Sequence, residues 1–406
     1  MTSGKGSEMS TAEAGPAEVD VAIVGAGLAG TTLAAVLGKA GRKVALIDPH
    51  RVHHPEFRAE KIGRKQMQLF ERLGLDATVL PLVTPIEEVH IFRLGQLFAR
   101  ETNHEFGFSY GALINGLRDA LPPQVPLTVG KVAEITTGPD RQRLVLVDGA
   151  IIDARLVVVA TGHSEAVRRA IGVNRMEESK AFSLSIGFDL AISPRDCAYR
   201  SVTCYGKRAG DRIAYITVFP IGNKMRANMF VYRQVAEPWT RAFREEPQKM
   251  LCELMPEISA QCGNFEVAGP VEVRQINLTT TQGHRRDGVV FVGDAFLTTC
   301  PTPGVGIERV MTDVGQLCSV HIPRWLETPG MAADKISAFY DDPVKIAADE
   351  NGMRSSIYSK AITTGTGLEW RIRRLRNNTA RQLMIVGRKI RHLGQRRATA
   401  VAGEVS

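Results

Sequence analysis

Residues 19–48 constrain the fold of this chain more than any other stretch. VDVAIVG (19–25) is a short apolar, β-branched run, suited to a strand buried on both faces. GAGLAG follows at once, then TTLAAVLGKAG, an Ala- and Leu-rich helical pattern closed by Gly41. KVALID repeats the buried-strand pattern and ends on Asp48. Together these segments make one strand–helix–strand unit. In its first turn Gly25 permits the sharp bend, Gly27 lets a diphosphate approach the backbone, and Gly30 lets helix and strand pack closely. Leu28 and Ala29 begin the helix, whose positive end then faces the phosphates. Asp48, 23 residues after Gly25, can accept hydrogen bonds from a ribose diol. The unit predicts a dinucleotide site.

Further along, 63–75 reads as a helix and 76–104 as mixed, with strand-like pieces at Val89–Phe92 and Leu97–Arg100. A helix over Ala112–Leu121 ends at Pro122–Pro123, and several strands follow over 126–160. Alternating strands dominate 181–275, VVFV (289–292) resumes a buried strand, and the chain is mostly helical from Gly304 onward. The predicted class is α/β: a Rossmann-like cofactor-binding domain with an inserted antiparallel β-sheet domain and C-terminal helices. The cofactor-binding domain is expected to be discontinuous, over 19–75, 105–177 and 276–325. A substrate domain is expected over 76–104 and 178–275, a disordered leader over 1–18, and a helical region with a basic tail over 326–406.

A second motif, GDAFLTTCPTPGVGIERVMTD (293–313), narrows the dinucleotide to FAD. Asp294, directly after the strand-ending Gly293, can bond a ribityl hydroxyl. Gly304, Val305 and Gly306 open a helix whose dipole can stabilise negative charge on a reduced flavin. With these residues in view, the sequence resembles the flavoprotein monooxygenases of the para-hydroxybenzoate hydroxylase type, the group A hydroxylases. Their motif runs GDAAH, a proline, GxG, an asparagine and an aspartate. The match holds at Gly293, Asp294, Ala295, Pro301, Gly304, Gly306 and Asp313; Leu297 stands at the usual histidine and Glu308 at the usual asparagine. VVVATGHSEAVRRAIG (157–172) is similar to the family's ADG-x-S-x-V-R-x-x-x-G segment at Gly162, Ser164 and Arg168, with Thr161 in place of aspartate. The resemblance covers about 19–320.

The resemblance also implies a cation reaching the flavin or its phosphates. Arg58 and Lys61 in FRAEKIG are candidates, as is Arg118 on the helix that carries Tyr110. ITVFPIGNKMRANMFVY (216–232) resembles the strand–proline–turn–strand element beside the substrate pocket, which makes Phe219, Pro220 and Pro301 the pocket candidates. Cys300 reads as a small thiol filling space. The implied activity is FAD-dependent monooxygenation: NADPH or NADH reduces the flavin, O2 adds to give a C4a-hydroperoxide, and an aromatic or other electron-rich small molecule is hydroxylated. No separate catalytic residue is assigned, because the flavin carries the chemistry. Two alternatives stay open: a geranylgeranyl-type reductase acting on an isoprenoid double bond, and a non-oxygenase flavoprotein recruited by its tail. Halogenase chemistry is disfavoured, since Trp239, Trp325 and Trp370 are far apart.

Charge locates the remaining feature. Lys and Arg number 51 against 43 acids, a net +8, yet ten of the basic residues and only Glu404 lie beyond Trp370. The body is therefore near neutral. Within 369–397, Ile372, Leu375, Leu383, Ile385, Ile390 and Leu393 alternate with arginines, which suggests contact with an anionic membrane or an acidic partner. Nothing resembles a nucleic-acid module. No apolar run reaches the roughly 18 residues of a membrane span, and the six cysteines and nine histidines lack metal-ligand spacing. A cytoplasmic, reducing setting and no metal are expected.

Overall fold

The structure is a computed structural model describing residues 17–102, 104–263, 265–380 and 382–383. The leader over 1–16 and the tail beyond 383 therefore lie outside the described residues. Strand β1 (Ala17–Val24), helix α1 (Leu28–Lys39) and strand β2 (Val44–Asp48) form the first unit, with β1 and β2 paired in parallel from Val21–Val44 to Val24–Ile47. β1 starts two residues earlier than the apolar run suggested, because Ala17 and Glu18 pair with Ile152 and Asp153.

Seven strands make the first sheet. Its centre is parallel, running from Leu127–Val129 through β2 and β1 to Ile151–Val159. On its far edge Ile151–Val159 is shared. Its first half pairs antiparallel with Gln142–Leu146, and its second half pairs parallel with Val289–Phe291. This brings the downstream motif at 293–313 beside the N-terminal glycines. Both faces are covered: Leu33, Ala34 and Leu37 of α1 pack with Val21, Ile23, Val158 and Val290 on one side, and Val157, Val159, Phe291 and Val167 pack on the other.

The second sheet has eight strands, ordered Leu297–Thr298, Val267–Gln282, Asn174–Leu190, Lys224–Val231, Ile213–Ile221, Val202–Tyr205, Val89–Arg93 and Gln96–Glu101. It is antiparallel except where Val202–Tyr205 runs parallel to Val89–Arg93. Asn174–Leu190 and Val267–Gln282 are long strands paired along their length. The boundaries suggested near 177 and 275 fall inside this ladder, so the two layers share continuous backbone. One face of the sheet buries Ile186, Phe188, Ile216, Val218 and Met229 beneath three short helices, Pro238–Glu245, Pro247–Leu254 and Pro256–Cys262. These helices interrupt a stretch in which alternating strands were expected to dominate. Each opens on proline, the residue whose missing N–H costs nothing at a helix start.

After 304 the chain is helical, with Gly306–Gln316, Ile322–Leu326, Ala333–Tyr340, the long Pro343–Thr364 and a further helix over 368–380. Asp342 caps Pro343–Thr364 by accepting from Val344 N–H at 2.8 Å. Lys345 is buried with its Nζ 2.9 Å from both Asp313 and Asp349, which pins this helix against Gly306–Gln316. Among the described residues no helix is long and apolar enough to cross a membrane.

Candidate active site

Between the two sheets lies a cavity of about 780 Å³, within the size range of small-molecule pockets. It runs from Asp48, Gly130 and Lys131 past Gly25, Gly27, Thr161 and Asp294 to Ser185, Tyr215, Thr217, Phe230 and Ile276 on the second sheet.

The glycine turn leaves an open cradle at the start of α1. Gly25 holds φ +101°, and a Cβ there would stand 2.7 Å from the Ala160 carbonyl oxygen. A Cβ added at Gly27 would meet nothing within 4 Å, so its open side is the cavity itself. α1 begins at Leu28 with no side chain capping it, leaving its first N–H groups for a ligand. Gly30 does not line the cavity; a Cβ there would fall 1.9 Å from the Gly25 oxygen, so its role is packing. Asp48 lines the cavity and accepts from Ala26 N–H at 2.8 Å and His50 N–H at 2.9 Å.

Of the three candidate cations, Arg118 is turned inward. Its guanidinium donates to the Ala26 carbonyl at 2.9 Å (Nε) and to His50 O at 2.8 Å, and it lies 3.3 Å from Asp48. It fixes the glycine turn and the Asp48 carboxylate. Arg58 stands at the middle of the cavity, 2.7 Å from Glu56 and 3.3 Å from Asp294. Lys61 lies 2.7 Å from Glu105 and donates to the Thr217 hydroxyl at 3.1 Å, linking the small sheet over Lys61–Gly63 to the large one.

Asp294 projects from the turn after Val289–Phe291. Burial alone raises a carboxyl's pKa, but His163 at 3.4 Å, Arg58 and Arg309 outweigh it and hold Asp294 well below the usual range. It is an anion ready to accept a hydroxyl. The preceding Gly293 is clamped: its N–H donates to Asp313 at 2.9 Å and its carbonyl accepts from Arg309 at 3.4 Å. Arg309, Asp349, Lys345 and Asp313 form a buried chain of alternating charge behind it. Asp313 belongs to the sequence motif; Arg309, Lys345 and Asp349 carry no sequence signal of their own. Gly304 and Gly306 line the cavity with nothing within 4 Å of a Cβ, whereas Val305 is not part of the lining.

At the sheet end, Pro301 and Cys300 line the cavity. Cys300 is buried, its sulfur 3.3 Å from the Ser183 hydroxyl and 3.1 Å from that of Thr302. Phe219 and Pro220 do not line the cavity. They continue the strand that presents Tyr215 and Thr217, but Gly107 crosses this end so closely that a Cβ on it would lie 2.3 Å from Pro220 O. Phe219 is fully buried with Ile86 and Val89. Pairing of the three-stranded sheet over that end moves the pocket wall to Thr217, Tyr215 and Phe230.

Among the described residues of this lining, the Thr161 hydroxyl and Asn228 Oδ1 are buried with neither a hydrogen-bond nor an ion-pair partner. Unmet polar groups of this kind mark where a ligand bonds. Glu60 also lines the cavity, buried, accepting from Arg226 Nε at 2.7 Å. Burial pushes its carboxyl up to about 7, against the pull of Arg226. Sequence reasoning passed over Glu60 and Asn228, since each lies in an unremarkable local pattern.

The open cradles at Gly27, Gly304 and Gly306, the ionised Asp294 and the unpartnered Thr161 fit FAD. Asp48 would hold the ribose, the α1 N-terminus the diphosphate, Asp294 the ribityl chain and the Gly306–Gln316 N-terminus the ring's pyrimidine edge.

Known proteins agree. The chain is 25% identical over 350 residues to the FAD-dependent monooxygenase ausM of Aspergillus calidoustus, covering 77% of this chain and 72% of that one. It is 24% identical over 314 residues to the ubiquinone hydroxylase UbiL of Rhodospirillum rubrum, covering 73% and 71%. Its fold matches p-nitrophenol 4-monooxygenase PnpA from Pseudomonas putida DLL-E4 with a TM-score of 0.73, at 17% identity, over 92% of this chain and 97% of that one. Residues 18–320 match the family described as FAD binding domain, and with the fold and the cofactor cradle in agreement, the chain belongs to that family and to its para-hydroxybenzoate hydroxylase-type flavoproteins.

Proposed function

We propose that this protein is an FAD-dependent, NAD(P)H-using monooxygenase whose substrate is a neutral, hydroxyl-bearing aromatic molecule. The observation that carries the reading is one continuous cavity, a dinucleotide cradle at one end and an aromatic, hydroxyl-lined sheet face at the other. When bound, FAD reduced by NAD(P)H supplies activation of O2 for insertion into an electron-rich ring. The chain supplies everything else. Tyr215, Phe230 and Ile276 give an apolar floor for a ring, while Thr217, Ser185 and Asn228 offer hydrogen bonds that orient it. The cations near this end are already matched, Arg58 and Arg274 by Glu56 and Lys61 by Glu105. A substrate carboxylate would thus find no free cation among them, which favours a neutral ring. Glu60 is the group placed to take a substrate hydroxyl's proton, raising the ring's electron density.

The basic tail is proposed to add peripheral contact with an anionic surface. A panel of neutral phenols and heteroaromatics should stimulate NAD(P)H oxidation with matching O2 uptake. Turnover of isoprenoid double bonds without O2 would instead establish the reductase, and flavin binding with neither activity would reduce the protein to a binding module.

A further inference from the structure

The helix over 368–380 and its continuation at 382–383 is amphipathic in the reverse of the usual sense. A surface helix ordinarily turns its apolar stripe to the body. Here the polar side docks. Arg374 donates to the carbonyls of Ile362 and Gly365 at 2.9 and 2.8 Å, Asn377 donates to the Tyr358 hydroxyl at 2.9 Å, and the Trp370 ring centres 6.4 Å from that of Tyr358. Positions 370, 374 and 377 share one face at about 100° per residue. Leu368, Ile372, Leu375 and Leu383 fall on the opposite face and are 71%, 56%, 68% and 67% exposed. Arg371 and Arg376, both exposed, border that stripe on its two sides.

We propose that this outward face docks on an anionic lipid bilayer, deepening the peripheral contact proposed above and resting on it. Leu368, Ile372 and Leu375 enter the headgroup region, while Arg371 and Arg376 spread along lipid phosphates with their stems against the acyl boundary. Charge selects this occupant over a second copy of the chain. No acid lies between Trp370 and Glu404, so two apposed stripes bring arginines against arginines, whereas an anionic surface matches both stripe and border. The docked helix is not loosely hung. It is bonded to Pro343–Thr364, whose Ser356 hydroxyl accepts from the Cys300 N–H at 3.0 Å at the cavity wall.

The test is sedimentation of the full-length, flavin-loaded protein with vesicles of phosphatidylcholine alone and of phosphatidylcholine mixed with phosphatidylglycerol. Binding is expected only with the anionic lipid and should weaken as salt rises. The combined change Leu368→Ser, Ile372→Ser and Leu375→Ser should lower the partition coefficient about tenfold or more, with flavin content unchanged. Should that variant lose its flavin, Leu375→Trp serves instead, its emission shifting to the blue on anionic vesicles. No binding by the wild type, unchanged partitioning of the stripe variant, or unshifted emission from the tryptophan variant would overturn the proposal. So would a wild-type dimer that the stripe variant dissolves without vesicles, since the stripe would then serve a second copy. Loss of oxygen uptake with vesicle binding intact would remove the enzymatic reading alone.

Discussion

At Gly25 the backbone conformation and the space around it exclude any side chain for independent reasons. A positive φ strains an L-residue by about 1–3 kcal/mol, and the Ala160 carbonyl occupies the place of a Cβ. Gly25→Ala should therefore purify largely without flavin, read from the absorbance ratio at 450 and 280 nm on the scale of about one flavin per chain. Asp294→Asn removes the anion that His163 and Arg58 hold ionised and should also weaken FAD retention; full flavin occupancy in both variants would refute the cradle. Glu60 tests differently. Because burial raises its folded pKa to about 7 from an ordinary 4.5, the protonated form is favoured in the fold. Its contribution to stability is present below about 4 and lost as pH rises through about 7. As a proton acceptor it works in the opposite direction, so turnover should climb with pH through about 7. Glu60→Gln should flatten both the rate profile and that part of the stability profile.

Among the elements, Pro343–Thr364 carries more than its sequence suggests. Its buried Lys345 is partnered by Asp313, which holds Gly293, and by Asp349, which holds Arg309. Removing one member of a buried ion network leaves charge without a partner, at a cost of about 3–5 kcal/mol. Lys345→Met should lower the melting temperature by several degrees and loosen flavin, since Asp294 loses its backing; an unchanged melting curve would show the network to be redundant. The helix over 368–380 stands apart from this core. A chain ending after Glu369 should keep its flavin and melting temperature while losing vesicle binding. The helix Tyr110–Asp119 marks how far local pattern reaches. A helix there was legible from its stop at Pro122–Pro123, yet only its packing shows that Arg118 lines the cavity with its guanidinium bonded to the Ala26 carbonyl.

Across the whole molecule, the two large sheets meet at one cavity, and the long strands Asn174–Leu190 and Val267–Gln282 pair with each other along the second of them. The α/β class and FAD were readable because each rests on contiguous patterns: a buried strand, glycines at fixed spacing, a strand-ending acid. Such patterns are dictated by backbone conformation within a few turns, where sequence distance equals spatial distance. The tertiary structure decided the rest. Arg58 meets Asp294 across 236 residues of chain and Lys61 meets Thr217 across 156. Phe219 was withdrawn from the pocket by Gly107, Glu60 was raised by burial beside Arg226, and the tail's apolar stripe was turned outward by Arg374 and Asn377. None of these has a local signature. Each depends on which surfaces close over which, and that is settled by long-range strand pairing and the burial it imposes.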